Sequence, residues 1–479
     1  MPESAGRSGA HGARRALAAE GGCGCRRAVR IAPRPVYRPP AAPGGLSPSG
    51  PAVAHCGGTP VRIDFPYEGI PPVEVPEASV LGVVGPQDMA PAAPAARLVR
   101  AALDSPLQCP PLRELARTAR RILILFDDNT RPTPASLIVP HLLEEFGPTP
   151  AVTFLTASGT HRPMSEAEKV RKLGAEICRR FPVLDHHWHD PSALQQLGST
   201  ASGIPVEVNR LLREADLVLG VGHVAPHRIA GFGGGSKIVQ PGVGGVATTG
   251  RTHWLAAGFP GADLMGVAEN PVRAEMDEVA EAAGLRAVVN VVLNTRDEMV
   301  GCFFGSPRAA HRAACALSLA VFRGSIPGLA DVVLVESYPA DLDLWQASKG
   351  LAAAELAVRP GGEVILVTPC PEGVSASHPA MAEFGYQPVD VVEGWIRRGE
   401  MTDLMVAAEL AIGGRVIRDR AHGFMVSPGI PSDVIRGLGF DPAGTPQEAL
   451  DRALFRAGPG AKVLVLRHGG EVLPVLSVR

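Results

Sequence analysis

The sequence has no apolar run approaching the roughly 20 residues that a membrane-spanning helix requires. It has no marked excess of either charge. The formal net charge is −2 over 479 residues, so the basic footprint of a nucleic-acid binder is missing. Eight cysteines are present without any CxxC pair: Cys23 and Cys25 form a lone CxC, and Cys56, Cys109, Cys178, Cys302, Cys315 and Cys370 stand apart. That spacing excludes a zinc ribbon and a disulfide framework, leaving reduced, mostly buried thiols as the expectation. A further absence is local. Between Asp216 and Asp263 there is no Asp or Glu at all. The expectation from these gaps is a cytoplasmic globular protein, with neither nucleic acid nor membrane as partner.

What is present divides into a tail and two blocks. Residues 1–60 are rich in Arg, Gly, Ala and Pro without a sustained apolar period. Such a segment buries too little surface to offset its ordering entropy, so it is expected to be a disordered basic tail. From about residue 120 strands and helices alternate. RILILF (121–126), AVTFLTASG (151–159) and ADLVLGVG (215–222) read as buried strands. ASLIVPHLLEEFG carries helical spacing, and Ser165 with Glu168 forms a capping box that opens another helix. A second block starts near residue 323, with strands ADVVLVES (330–337) and GEVILVTPC (362–370) around the helix-like DLWQASKGLAAAELAV. Thr445 and Glu448 form a second capping box, and KVLVLRHGGEVLPVL predicts a hairpin at Gly469-Gly470. The pattern predicts an α/β fold with mainly parallel sheets. Its domains are an N-terminal one over 61–322 and a C-terminal one over 323–479, with the site in the cleft between them.

In parallel sheets, ligands sit beyond the carboxyl ends of the strands. DDNTRPTP follows the first strand, GTHRPMS the second and HVAPH the third, which brings Asp128, Arg131, His161, His223 and His227 toward one cleft. GFGGGSK lacks Walker spacing, and GVGHVA (220–225) is a weak dinucleotide fingerprint without the ribose-binding acid. The acid-free stretch instead carries Arg228, Lys237, Arg251, His223, His227 and His253 among many glycines, a composition suited to a phosphate-bearing ligand. His186, His187 and His189 look metal-like but are expected on the surface. Gln346 and Lys349 share a helix face and suit a carboxylate.

Taken together, DDNTRPTP, GTHRPMS, PHRIAGFGGGSKIVQPG with the later THW, and DLWQASKG resemble the nickel-pincer lactate racemase family of 2-hydroxyacid racemases and epimerases. The resemblance runs from about residue 61 to the C-terminus. It implies an isomerase with two α/β domains and a nickel-pincer nucleotide, a pyridinium-3,5-bisthiocarboxylic acid mononucleotide, between them. Lys237 would tether this cofactor, His253 would bind its nickel, and Gly233, Gly234, Gly235 and Ser236 would receive its phosphate. His161 and His227 would act as paired acid/base groups on opposite faces of the substrate during reversible hydride transfer. Asp128 and Arg131 would support them, and Gln346 and Lys349 would hold substrate oxygens. Trp345 stands where lactate-specific members carry tyrosine, so lactate is one candidate among related 2-hydroxy acids. Cofactor-biosynthesis proteins are implied as partners. Two other classes stay open here: a non-catalytic protein that holds a nickel cofactor or nucleotide, and a dinucleotide-dependent dehydrogenase.

Overall fold

A computed structural model describes residues 59–477 except Pro148 and Thr149. The expected tail therefore lies almost wholly outside the described residues. The chain builds two lobes, each on a six-stranded sheet. In the first the strand order is Met299–Gly305, Leu285–Leu293, Leu217–His223, Arg121–Asp127, Ala151–Ala157 and Val183–Asp185, parallel except for the antiparallel edge strand Met299–Gly305. The second is parallel throughout, in the order Asp441–Pro442, Ala421–Val426, Val358–Val367, Ala330–Glu336, Val463–Leu466 and Val80–Val84. The mainly parallel α/β architecture expected from the alternation is thus present.

Strand burial follows from period-two geometry with both faces covered. Ile122, Ile124 and Phe126 pack on one side of the first sheet with Phe154, and Leu123 and Leu125 pack on the other with Leu155 and Ile238. In the second sheet Val332 and Leu334 face one core while Val333 and Val335 face the other. Truncating a fully buried Phe126 would cost about 3–5 kcal/mol. The Ser165 box forms in full: its hydroxyl accepts from Glu168 N, and Glu168 accepts from Ser165 N. At the second predicted box only half forms. Thr445 accepts from Glu448 N, but the Glu448 carboxylate turns to Gly444 N.

Three expectations change. Residues 61–84 fall in sequence with the first block, but the strand Val80–Val84 pairs with Val463–Leu466, and Ile63, Val73 and Val75 pack against the second sheet. Hydrophobic pattern alone does not choose between two sheets that both need an edge. The C-terminal hairpin does not form, because Val463–Leu466 and Leu473–Leu476 pair in parallel with different strands. Gly469 serves a close approach instead: its N–H donates to Glu336 O at 2.9 Å, and a Cβ there would collide with that carbonyl. Finally, the helix predicted over DLWQASKGLAAAELAV is two pieces, Leu344–Ala347 and Lys349–Ala357, joined at Ser348. Asp343 caps the first by accepting from Gln346 N at 2.9 Å.

Candidate active site

Four strand ends supply the site. Asp128 and Arg131 follow Arg121–Asp127, and His161 follows Ala151–Ala157; His227 follows Leu217–His223, and the Asp343 helix follows Ala330–Glu336. Asp128, Arg131, His161, His227, Gly233, Gly234, Lys237, His253, Trp345, Gln346 and Lys349 line one cavity.

His161 is held from both sides. Its Nδ1 lies 2.7 Å from Asp128 Oδ2, and its Nε2 lies 2.9 Å from Gln346 Nε2. Burial opposes the Asp128 charge, but His161, Arg131 and Thr130 more than offset it and hold the carboxyl below the usual carboxylate range. An ionised Asp128 can only accept, so Nδ1 of His161 carries the proton. The amide orientation is fixed independently. Gln346 Oε1 faces Lys349 Nζ at 2.8 Å and accepts from Arg131 Nη1 at 3.2 Å, a guanidinium that can only donate. The NH₂ group of Gln346 therefore donates to His161 Nε2, which must present a lone pair. His161 thus turns an Nε2 lone pair toward Gln346 at the cavity wall.

His227 has the opposite arrangement. Its Nδ1 accepts from the backbone N–H groups of Ile229 at 3.2 Å and Ala230 at 3.3 Å. Burial, then Lys237, Lys349 and Arg131, push its pKa well below the ordinary imidazole value. The ring is neutral and its proton sits on Nε2.

Three cations crowd the cavity with few anions. Burial, then Arg131 and Arg273, bring the Lys237 ammonium down to about 7. Burial, then Arg131 and Lys237, depress Lys349 well below its usual value. Their mutual repulsion is relieved by an anionic ligand. Arg228 also lines the cavity, but its guanidinium is paired with buried Glu409. Arg251 is exposed and lies outside the cavity lining.

His253 donates Nδ1–H to Thr249 O at 2.9 Å, one turn back in the helix Val246–Ala257. Burial, against that hydrogen bond, takes its pKa down to about 3. The neutral ring keeps the Nε2 lone pair, as a metal-binding imidazole with a carbonyl behind it does. Among the described residues no cluster of three His, Cys, Asp or Glu could hold a metal. A metal at His253 would therefore need donors brought by a bound group.

The glycine turn splits in two. Gly233 and Gly234 line the cavity, while Gly235 and Ser236 stand behind it. Gly233 N donates to Ala225 O, Gly235 N donates to Asn290 Oδ1 at 3.0 Å, and a Cβ on Gly235 would meet the His311 ring at 2.8 Å. At Gly235 the glycine serves close packing of the turn on the protein interior. No helix follows GVGHVA; the chain forms the short Pro226–His227/Gly231–Phe232 ribbon, so the dinucleotide fingerprint lacks its helix N-terminus. Of the HHWH histidines, His187 and His189 are exposed, but His186 is buried between Gly244 O and Asn209. That corrects its expected surface position.

Several contributors were not singled out from sequence. Lys172 Nζ bonds Asp128 O at 2.9 Å and Arg131 O at 2.7 Å and pairs with Asp127 Oδ1 at 2.8 Å, fixing the DDNTR turn from a helix behind it. Trp345 stacks on His378 at 4.0 Å, and His378 Nε2 lies 3.0 Å from Thr160 Oγ1. Arg162 joins Glu168 of its own lobe to Glu372 of the other. Of these, Trp345 and Arg162 lie in the motifs DLWQASKG and GTHRPMS, and Glu168 stands at N3 of the Ser165 box; Lys172, His378 and Glu372 gave no sequence signal.

Comparison with known proteins accords with this geometry. Residues 68–263 match the lactate racemase N-terminal domain, and residues 328–474 match the lactate racemase C-terminal domain. The lactate racemase of Lactiplantibacillus plantarum is 30% identical over 384 residues, covering 78% of this chain and 90% of that protein. That of Thermoanaerobacterium thermosaccharolyticum is 28% identical over 387 residues, covering 78% and 89%. The solved lactate racemase apoprotein from the latter organism superposes with a TM-score of 0.78 at 26% identity, covering 87% of this chain and all of that one. The chain therefore belongs to the lactate racemase family and is an isomerase.

Proposed function

We propose that this protein is a racemase inverting the 2-carbon of lactate or a related 2-hydroxy acid. The carrying observation is the pair His161 and His227, which line one cavity in opposite neutral tautomers. One presents a lone pair and the other an N–H, which is what removing a hydroxyl proton on one face and returning one on the other demands. Arg131 and Lys349 supply the positive charge for the substrate carboxylate. Substrate hydroxyl takes the place of the Gln346 amide at His161 Nε2, and the released amide is then free to donate to a substrate oxygen. Proton transfer to His161 is stabilised by Asp128, which already holds Nδ1–H.

The residues present suit the family's nickel-containing cofactor. His253 offers a neutral Nε2 as metal ligand, Lys237 is a buried amine that is partly uncharged near neutral pH, and the local cations favour an anionic group. When bound, a nickel-pincer nucleotide would supply a reversible hydride acceptor, which explains racemisation without a dissociable nicotinamide. Trp345, stacked on His378, would wall the reacting centre from water.

The test is to express the chain with the cofactor-biosynthesis proteins, measure metal and intact mass, and follow single enantiomers by chiral chromatography. Conversion of either enantiomer toward a racemate, with about one nickel per chain, is expected. Nickel-loaded protein that inverts no 2-hydroxy acid would refute the racemase reading. Loaded protein without added mass on Lys237 would refute the tether alone.

A further inference from the structure

Beside the catalytic cavity lies a second one of about 260 Å³. The two share Arg131, His227, Gln346 and Lys349. Lys237 and His253, the residues suited to the cofactor, line only the first. The second cavity therefore opens from the substrate side of the reacting centre. Resting on the racemase reading, it is where a substituent on the substrate's 2-carbon would project.

Its wall is acidic. Asp297, from the turn before Met299–Gly305, Asp341, from the loop after Ala330–Glu336, and Glu471 all line it. Among the described residues Arg131 and Lys349 are its only Lys or Arg side chains, and both are committed at the inner end. Burial raises the Asp297 and Asp341 carboxyls, and burial, against Lys349, brings Glu471 up to about 7. Among the described residues no side chain donates a hydrogen bond to these three carboxylates; Asp341 takes its own backbone N–H, and His223 Nδ1 stands 3.8 Å from Glu471.

An independent observation comes from His223, on the partition between the cavities. Its side chain is 2% exposed, its Nδ1 is 3.8 Å from Glu471 Oε1, and its Nε2 has no hydrogen-bond partner. Burial lowers it to about 4, so the ring is neutral. A buried polar group without a partner is costly and marks a place for a ligand or water.

We propose that this chamber receives a hydroxylated side chain, making the preferred substrate a 2-hydroxy acid with further hydroxyls along its carbon chain, and Glu471 with His223 its specificity pair. A methyl group would leave most of the chamber unused, since about 260 Å³ far exceeds the room that one water needs. A second carboxylate would meet three acids and no spare cation. An aliphatic or aromatic chain would cover the acids without supplying donors. Hydroxyls donate to the carboxylates and can both accept from and donate to imidazole.

Nickel-loaded protein should be assayed on lactate, malate and a six-carbon polyhydroxylated 2-hydroxy acid, with calorimetric binding of each measured alongside. The hydroxylated acid should show the highest kcat/KM and the tightest binding. In Glu471→Leu its kcat/KM relative to that of lactate should fall about tenfold, the loss of one hydrogen bond, and Glu471→Gln should restore part of the ratio. Preference for lactate or malate, or an equal loss on every substrate, would overturn the proposal. If no acid is inverted, the racemase reading fails separately; selective binding of the hydroxylated acid that weakens in Glu471→Leu would still uphold the chamber, and its absence would overturn it.

Discussion

His161 and His227 face one cavity from opposite surroundings. His161 leans on a carboxylate, Asp128, at 2.7 Å and meets an amide at its other nitrogen. Among the described residues His227 has no carboxylate partner; two backbone N–H groups point at its Nδ1, and cations surround it. The same side chain is thereby set as a base in one place and a donor in the other. The lesson is that the protein fixes tautomers by what sits behind the ring.

The largest effect expected is from deleting either member. His161→Ala and His227→Ala should each lower racemisation on the order of 10³-fold while nickel, measured by elemental analysis, stays bound. A variant that keeps full activity would break the pairing. Next is Asp128→Asn, which removes the charge that fixes Nδ1–H; kcat should fall by about 10²-fold or more, and an equivalent change behind His227 is impossible because its partners are backbone. Gln346→Ala should cost less, about tenfold, as it removes one orienting amide. It would sharpen the comparison by showing whether His161 needs that amide once substrate is bound.

A pH test addresses the cations on the His227 side. In the folded apoprotein Lys237 loses its proton near 7, against 10.5 for the ordinary side chain. The unfolded chain then binds more protons between those values, so stability should rise with pH from about 7 to 10, and the gain should shrink in Lys237→Met, with depressed Lys349 supplying the remainder. Denaturant titrations across that range measure it. The smallest effect is expected from Arg162→Ala, which breaks partly exposed ion pairs to Glu168 of its own lobe and Glu372 of the other and should cost no more than about 1 kcal/mol, less at high salt.

Much of this was legible in the sequence because both sheets are parallel. Continuous apolar runs mark buried strands, and the polar residues after them mark the site, which is how Asp128, His161 and His227 were found together. Long-range partners were illegible. Arg228 looked like an anion ligand because its own segment lacks acids, yet Glu409 arrives from another helix to neutralise it. Gly235 looked like part of a phosphate cradle, but its missing side chain makes room for His311. The acids of the outer chamber come from three separated loops that no spacing rule connects.

The opposite tautomers can be observed directly. Long-range ¹H–¹⁵N NMR of apoprotein carrying ¹⁵N-histidine, assigned with the two alanine variants, reports which ring nitrogen holds the proton. At neutral pH the account predicts a protonated Nδ1 with a bare Nε2 for His161, and the reverse for His227. Finding both rings in one tautomer, or His227 doubly protonated, would contradict it.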